Sequence, residues 1–214
     1  MIIAAVADVH SPRYFVEFVT SLGKFSQPDL FLLAGDIINR GSVEEYPIVV
    51  DAIDRFFGEI PIVACFGNEE YAESRDEITS LVGNRVHFLD ASTATLNLAG
   101  NRLGIVGASA LLESSDDISD IRTFFENRAN RITKLLRQVH RESRNVILLM
   151  HYSPLEEDNH SFSWWVARAI KNVEPNIIVH GHVHSPFELE LLIGSTTVHN
   201  VALPAVGSIT ELFL

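Results

Sequence analysis

Seven residues able to bind a metal ion recur down the chain in a fixed order: Asp8 and His10, Asp36, Asn68, His151, then His182 and His184. Each follows a short apolar run, as Ile-Ile-Ala-Ala-Val-Ala precedes Asp8 and Leu-Phe-Leu-Leu-Ala-Gly precedes Asp36. Imidazole, carboxylate and amide donors without a thiolate suit Mn²⁺, Fe or Zn²⁺ rather than Ca²⁺. Seven donors suffice for two ions held side by side. Two cations about 3.5–4 Å apart can deprotonate a shared water and neutralise a phosphate in the transition state. A carboxylate shared between the ions relieves their repulsion, and Asp36 is the natural bridge. The chemistry expected is phosphoester hydrolysis by in-line attack of a metal-bridging hydroxide.

The elements that must position these residues can be read from apolar periodicity. Ile2–Ala7, Leu30–Ala34 and Ile62–Phe66 have the length and continuous apolar character of buried strands. Between them, Tyr14–Phe25 and Val43–Phe57 carry apolar residues at helical spacing. This β-α-β-α-β opening predicts right-handed crossovers and a largely parallel sheet. A third helix is expected over Tyr71–Val82. Val86–Leu89, Thr93–Leu98 and Arg102–Val106 lie close together and read as meander strands, followed by a polar loop over Ser109–Asp120. An amphipathic helix comes next, with Ile121, Phe124, Phe125, Ile132, Leu135, Leu136 and Val139 on one face.

Further on, Val146–Met150 and Asn176–Val179 read as buried strands, with a helix around Phe162–Lys171 between them. Phe187–Ile193, Thr196–Leu203 and Ser208–Phe213 read as antiparallel strands. The architecture predicted is a single α/β domain over residues 1–214, a two-sheet mixed β-sandwich flanked by helices on both sides. Ligand crevices in such sheets lie beyond the carboxyl ends of the strands, so side chains that follow separate strands converge there.

Composition narrows the partners. With 214 residues, 47% hydrophobic, the chain is long enough for a substantial core. Its net charge of −12 repels a nucleic-acid backbone. Bound divalent cations reverse the local sign inside a cleft, so small phosphorylated substrates, nucleotides among them, remain open. The one cysteine, Cys65, reads as a buried structural thiol and excludes an intrachain disulfide. The apolar opening is too short for a signal peptide, and no apolar run approaches the ~20 residues of a membrane span. A cytoplasmic protein without membrane contact is expected.

The series Asp8-x-His10, Gly35-Asp36, Gly67-Asn68, His151 and Gly181-His182-x-His184 resembles the calcineurin-like metallophosphoesterase superfamily. The resemblance implies a four-layer α/β/β/α fold. It also implies one metal held by Asp8, His10, Asp36 and His184, and a second held by Asp36, Asn68, His151 and His182. His151-Tyr-Ser-Pro154 is similar to the family's motif at its fourth ligand strand. Two positions depart from the pattern. Glu69 stands where the family often has a His that protonates the leaving oxygen, and Asn39 stands where an Asp would orient it.

With Asp36 and Asn68, Glu69 and Arg40 complete the candidate catalytic set. Glu69 is read either as a general acid or as a structural or metal-water contact, because nearby cations favour its ionised form. Arg40 is read either as a phosphate clamp or as half of a surface ion pair. Without a His acid, substrates with good leaving groups are expected. The reading from another class is a scaffold of the same fold that holds metal without turning over.

Blander roles are expected elsewhere. His87, His140, His160 and His199 read as surface or satisfied polar residues, and strand alternation turns His180 away from the metals. Phe162, Trp164 and Trp165 read as core aromatics of a helix rather than a stacking platform. Arg122, Arg128, Arg131, Lys134, Arg137, Arg141 and Arg144 read as a solvated helix face, with an anionic partner as the alternative.

Overall fold

Two mixed sheets stand face to face in the computed structural model, which describes residues 1–110, 118–155 and 164–214. Strands β1 (Ile2–Val6), β2 (Leu30–Ala34), β3 (Ile62–Cys65) and β4 (His87–Phe88) run parallel, with β11 (Thr210–Phe213) antiparallel beside β1. The second sheet has the order β5 (Ser92–Leu98), β6 (Asn101–Ala108), β7 (Asn145–Met150), β8 (Ile177–His180), β10 (Thr196–Asn200), β9 (Glu190–Ile193). Its four middle strands are parallel, and β5 and β9 close the two edges antiparallel.

Three apolar layers hold this arrangement. The period-2 alternation of each strand sends Ile3, Ala5, Leu30, Leu32 and Val63 between the sheets, against Leu103, Ile105, Ile147, Leu149 and Val179. The opposite faces of β1, β2 and β3 present Ala4, Val6, Phe31, Leu33 and Ala64 to helices α1 (Phe15–Leu22), α2 (Glu45–Phe57) and α3 (Arg75–Val82). The outer face of the second sheet packs under α4 (Ile118–His140) and α5 (Trp164–Ile170). Strands buried on both faces need unbroken apolar runs, which explains why the sequence signals them so clearly. In α4, Phe125, Ala129, Ile132, Leu136 and Val139 form the buried stripe, a spacing of three and four that keeps them on one side.

Several sequence expectations change. The three strands read as a meander belong to two sheets: β4 pairs parallel with β3, and only β5 and β6 form a hairpin. Val86 joins the helix-side core and Leu89 the inter-sheet core, so burial on opposite sides carries the chain across. The tail is likewise divided. Strand β10 runs parallel to β8, a short helix α6 (Leu203–Val206) follows, and β11 returns to β1 in the other sheet. Helix α4 starts at Ile118, inside the expected loop, whose residues 111–117 lie outside the described residues. Phe162 and His160 also lie outside them. Among the described residues no helix is long and apolar enough to cross a membrane.

Candidate metal centre

All seven sequence-predicted ligands follow strand ends on one edge of the molecule. Asp8 and His10 leave β1, Asp36 leaves β2, Asn68 leaves β3, His151 leaves β7, and His182 and His184 leave β8. The two sheets are stitched together here: Ala7 N–H donates to the Val201 carbonyl (2.9 Å), and Leu203 N–H donates to the Ala7 carbonyl (2.9 Å). The loop after β1 then follows the loop after β2, with Asp8 N–H on the Gly35 carbonyl and His10 N–H on the Asp36 carbonyl, each at 3.0 Å.

Two groups of donors result, each able to hold a metal ion: Asp8 with His10 and His184, and Asp36 with His151 and His182. Asp8 Oδ1 lies 3.0 Å from His184 Nε2 and 3.6 Å from His10 Nε2. Its other oxygen accepts the His182 backbone N–H at 2.8 Å. Asp36 Oδ2 faces His151 Nε2 at 3.4 Å and His10 Nε2 at 3.9 Å, so one carboxylate oxygen stands between the two groups. Asn68 Oδ1 lies 3.0 Å from His151 Nε2 and brings the amide into the second group. His151 Nδ1 is 2.9 Å from the Ala34 carbonyl. A carbonyl only accepts, so Nδ1 carries hydrogen and Nε2 is the ligand atom.

The backbone itself is bent to this purpose. Among the described residues seven non-glycine positions have positive φ, and five are Asp8, His10, Asp36, Arg40 and His182. Such conformations cost about 1–3 kcal/mol each and persist where the surroundings over-determine them. Two glycines make the approach possible. A Cβ on Gly67 would sit 2.1 Å from Asp36 Oδ1, and one on Gly181 would sit 2.3 Å from Asp8 Oδ2.

Charge is the other constraint. Asp8 and Asp36 are almost fully buried, and their ion pairs among the described residues all run to imidazoles. Burial opposes ionisation of Asp8, yet the His10 and His184 hydrogen bonds hold its carboxyl below the usual range. Asp36 is likewise lowered, against burial, by His151. Burial also opposes charge on His151, but Asp36 and Asp8 outweigh it and push the imidazole up to about 10. Positive charge is therefore what this site demands, and bound divalent cations supply it without a proton on His151. The donor set fits.

Sequence reasoning passed over the residues that brace the loops. Glu70, fully buried, accepts four backbone N–H bonds. Oε1 takes Ile37 (2.7 Å) and Ile38 (3.2 Å), and Oε2 takes Asp36 (2.9 Å) and Gly67 (2.6 Å). Burial and Asp36 push its carboxyl up to about 7, but both oxygens are filled by donors, and this geometry suits the carboxylate. Arg75 reaches the carbonyls of Gly67 (3.2 Å), Glu70 (3.1 Å) and Ala110 (2.7 Å). The doubled acid in Gly67-Asn68-Glu69-Glu70 is the one local signal of this role.

Glu69 accepts the Arg40 N–H at 2.6 Å, and its own N–H donates to Asp36 Oδ1 at 2.7 Å. The exposed Arg40 guanidinium has no ion pair among the described residues, so the surface ion pair considered from sequence is not found. His180 is buried with Nδ1 on the Gly181 carbonyl, and burial pulls its imidazole down to about 4. Trp165 is buried and stacks on Phe125, as a core aromatic should. Cys65 is buried and free.

A family model described as calcineurin-like phosphoesterase matches residues 1–186. Among curated proteins none matches the chain. Of the solved structures, TT1561 of Thermus thermophilus superposes with a TM-score of 0.64 at 13% identity, covering 98% of this chain and 97% of that one. GAP50, the anchor in the inner membrane complex of Plasmodium, gives 0.62 at 10% identity over 96% and 72%. A 5′-nucleotidase precursor from Thermus thermophilus gives 0.56 at 15% identity over 99% of this chain and 53% of its own. At such identities the structural likeness carries the fold alone.

Proposed function

The chain belongs to the calcineurin-like phosphoesterase family, and from that premise we propose that it is a metal-dependent phosphohydrolase acting on a small phosphorylated substrate. Asp8, His10, Asp36 and His184 hold one divalent cation, and Asp36, Asn68, His151 and His182 hold the second. The observation that carries this reading is the single Asp36 oxygen facing His10 and His151 at once. Manganese, iron or zinc suits the donors. When bound, the cations supply an activated water and positive charge against the phosphoryl oxygens.

The chain's own residues divide the remaining work. Arg40, exposed and unpaired among the described residues, clamps a phosphate oxygen with its planar fork. Glu69, engaged as an acceptor by the Arg40 N–H, braces the loop rather than protonating the leaving oxygen. Substrates that need no such acid are therefore favoured, as aryl esters and nucleotide phosphoanhydrides are. A diester carries one negative charge fewer than a monoester dianion and suits a chain of net charge −12.

Hydrolysis of bis(p-nitrophenyl) phosphate and p-nitrophenyl phosphate, with Mn²⁺ added or chelated, tests the proposal. Metal-dependent turnover is expected, faster on the diester. Asp36→Ala should lower it by about 100-fold or more, the scale of losing a preorganised electrostatic partner. The second reading, a metal-bound scaffold, draws on Glu69 and Asn39 standing where an acid dyad is usual. Absence of turnover on both esters, in protein carrying two metals, would favour it.

A further inference from the structure

Helices α4 and α5 lie side by side on the outer face of the second sheet and flank an open groove of about 880 Å³. Five of the chain's sixteen cationic residues line it: Lys134, Arg137 and Arg141 from α4 and its end, and Arg168 and Lys171 from α5 and its end. No carboxylate does. The rest of the lining is Asn130, Thr133, Gln138 and Asn172, all hydrogen-bonding groups. The Thr133 hydroxyl donates to the Ala169 carbonyl at 2.9 Å and ties the two helices together across the groove.

An acid four residues from a helical cation would offset its charge locally. Here the i±4 neighbours of Lys134 are Asn130 and Gln138, and those of Arg137 are Thr133 and Arg141. Among the described residues the one ion pair of a lining cation is Arg168 with Glu126, at 3.8 Å. The other basic residues of α4 differ. Arg128 is buried on Asp90 and the Ser109 carbonyl, and Arg131 reaches the Ala91 carbonyl. The five like charges, all on exposed residues, repel one another, and a bound anion would offset that repulsion.

We infer that this groove binds a small multivalent phosphate anion at a site separate from the metal centre. The size falls within the usual range of ligand pockets, about 300–1,000 Å³. The place is set by topology. The C-terminal ends of β7 and β8 carry the metal centre, whereas α4 runs back along the sheet, and His140 near its end touches the Glu174 carbonyl before β8 begins. Net charge selects the size of the ligand. A compact anion seated in the groove feels mainly the five cations, since salt screens charges farther away than about 8 Å at physiological ionic strength. A polymer or membrane surface would extend over the acidic remainder of a chain with net charge −12.

Calorimetric titration of the full, metal-loaded chain with two hydrolysis-resistant probes, methylenediphosphonate and β,γ-methylene ATP, tests the site without reference to turnover. A saturable component that survives in Asp36→Asn is expected. Arg137→Glu combined with Lys171→Glu should weaken that component by about 10- to 100-fold, the worth of one charge-assisted hydrogen bond, and raising the salt should weaken it too. If the reversed charges impair folding, Arg137→Gln with Lys171→Gln removes the cations more gently and should act in the same direction. Tighter binding of the nucleotide probe would assign a base to the ligand, and equal binding would assign the phosphates alone. The inference fails if all binding disappears in Asp36→Asn or if the groove variants bind like the parent. It also fails if a single-stranded RNA binds more tightly than both probes and depends on the same residues.

Discussion

Glu70 does for the loops what Asp36 does for the ligand groups. Its two oxygens collect N–H bonds from the loop after β2 and from Gly67 in the loop after β3. In Glu70→Gln the amide nitrogen would face donors instead of accepting from them, and an unsatisfied buried donor costs about 1–3 kcal/mol. Manganese affinity should fall about 10- to 100-fold, as it does when a ligand loses its support. A Mn²⁺ titration of the variant checks this, and unchanged affinity would refute the bracing role. His199 offers a test by pH. Burial lowers its imidazole below 6.5 despite Glu190 at 3.4 Å. The unfolded chain then binds more protons below about pH 6.5, so this contribution to stability is present at neutral pH and lost on acidification. Urea midpoints at pH 7 and 5 should differ less in His199→Gln than in the parent. At this scale the candidate donors were legible, because each follows an apolar run. Glu70 was not, because its role depends on four backbone groups that local sequence does not bring together.

Strand β6 and helix α4 meet with no room to spare. A Cβ on Gly104 would lie 1.9 Å from Val139 Cγ1, so in Gly104→Ala the Val139 side chain, or the helix with it, must shift. Overpacking of this kind costs about 1–3 kcal/mol. Adding Val139→Ala should recover part of the loss, and the coupling can be read from a double-mutant cycle of urea midpoints; strict additivity would place the strain elsewhere. The existence of these elements was plain from periodicity, but their partners were not. Val86–Leu89 carries the same alternating signal whether it continues a hairpin or ends another sheet, and pairing with β3 decided the matter. The basic residues of α4 looked like one solvated face. Packing divides them, burying Arg128 beneath Trp165 and turning Lys134 and Arg137 into the groove beside α5.

The candidate metal centre joins the two halves of the molecule. Asp8, Asp36 and Asn68 come from the first sheet, and His151, His182 and His184 come from the second. Cations bound between them should link folding to metal concentration. A metal present at about 100 times its Kd adds about 2.7 kcal/mol, so a chelator should lower the Tm of the parent and shift Asp36→Ala far less. Equal shifts would mean that the metal bound elsewhere. The sequence by itself determined the kinds of residues at the site, the strands that carry them and the two-sheet α/β plan, because each of these is written in local type and period. The tertiary structure alone decided which sheet each late strand joins, which oxygen lies between the two groups and which carboxylate holds the loops. It also decided which cations face one another across α4 and α5. Those facts depend on contacts between residues as far apart as Asp8 and His184, and no local pattern encodes the distance between them.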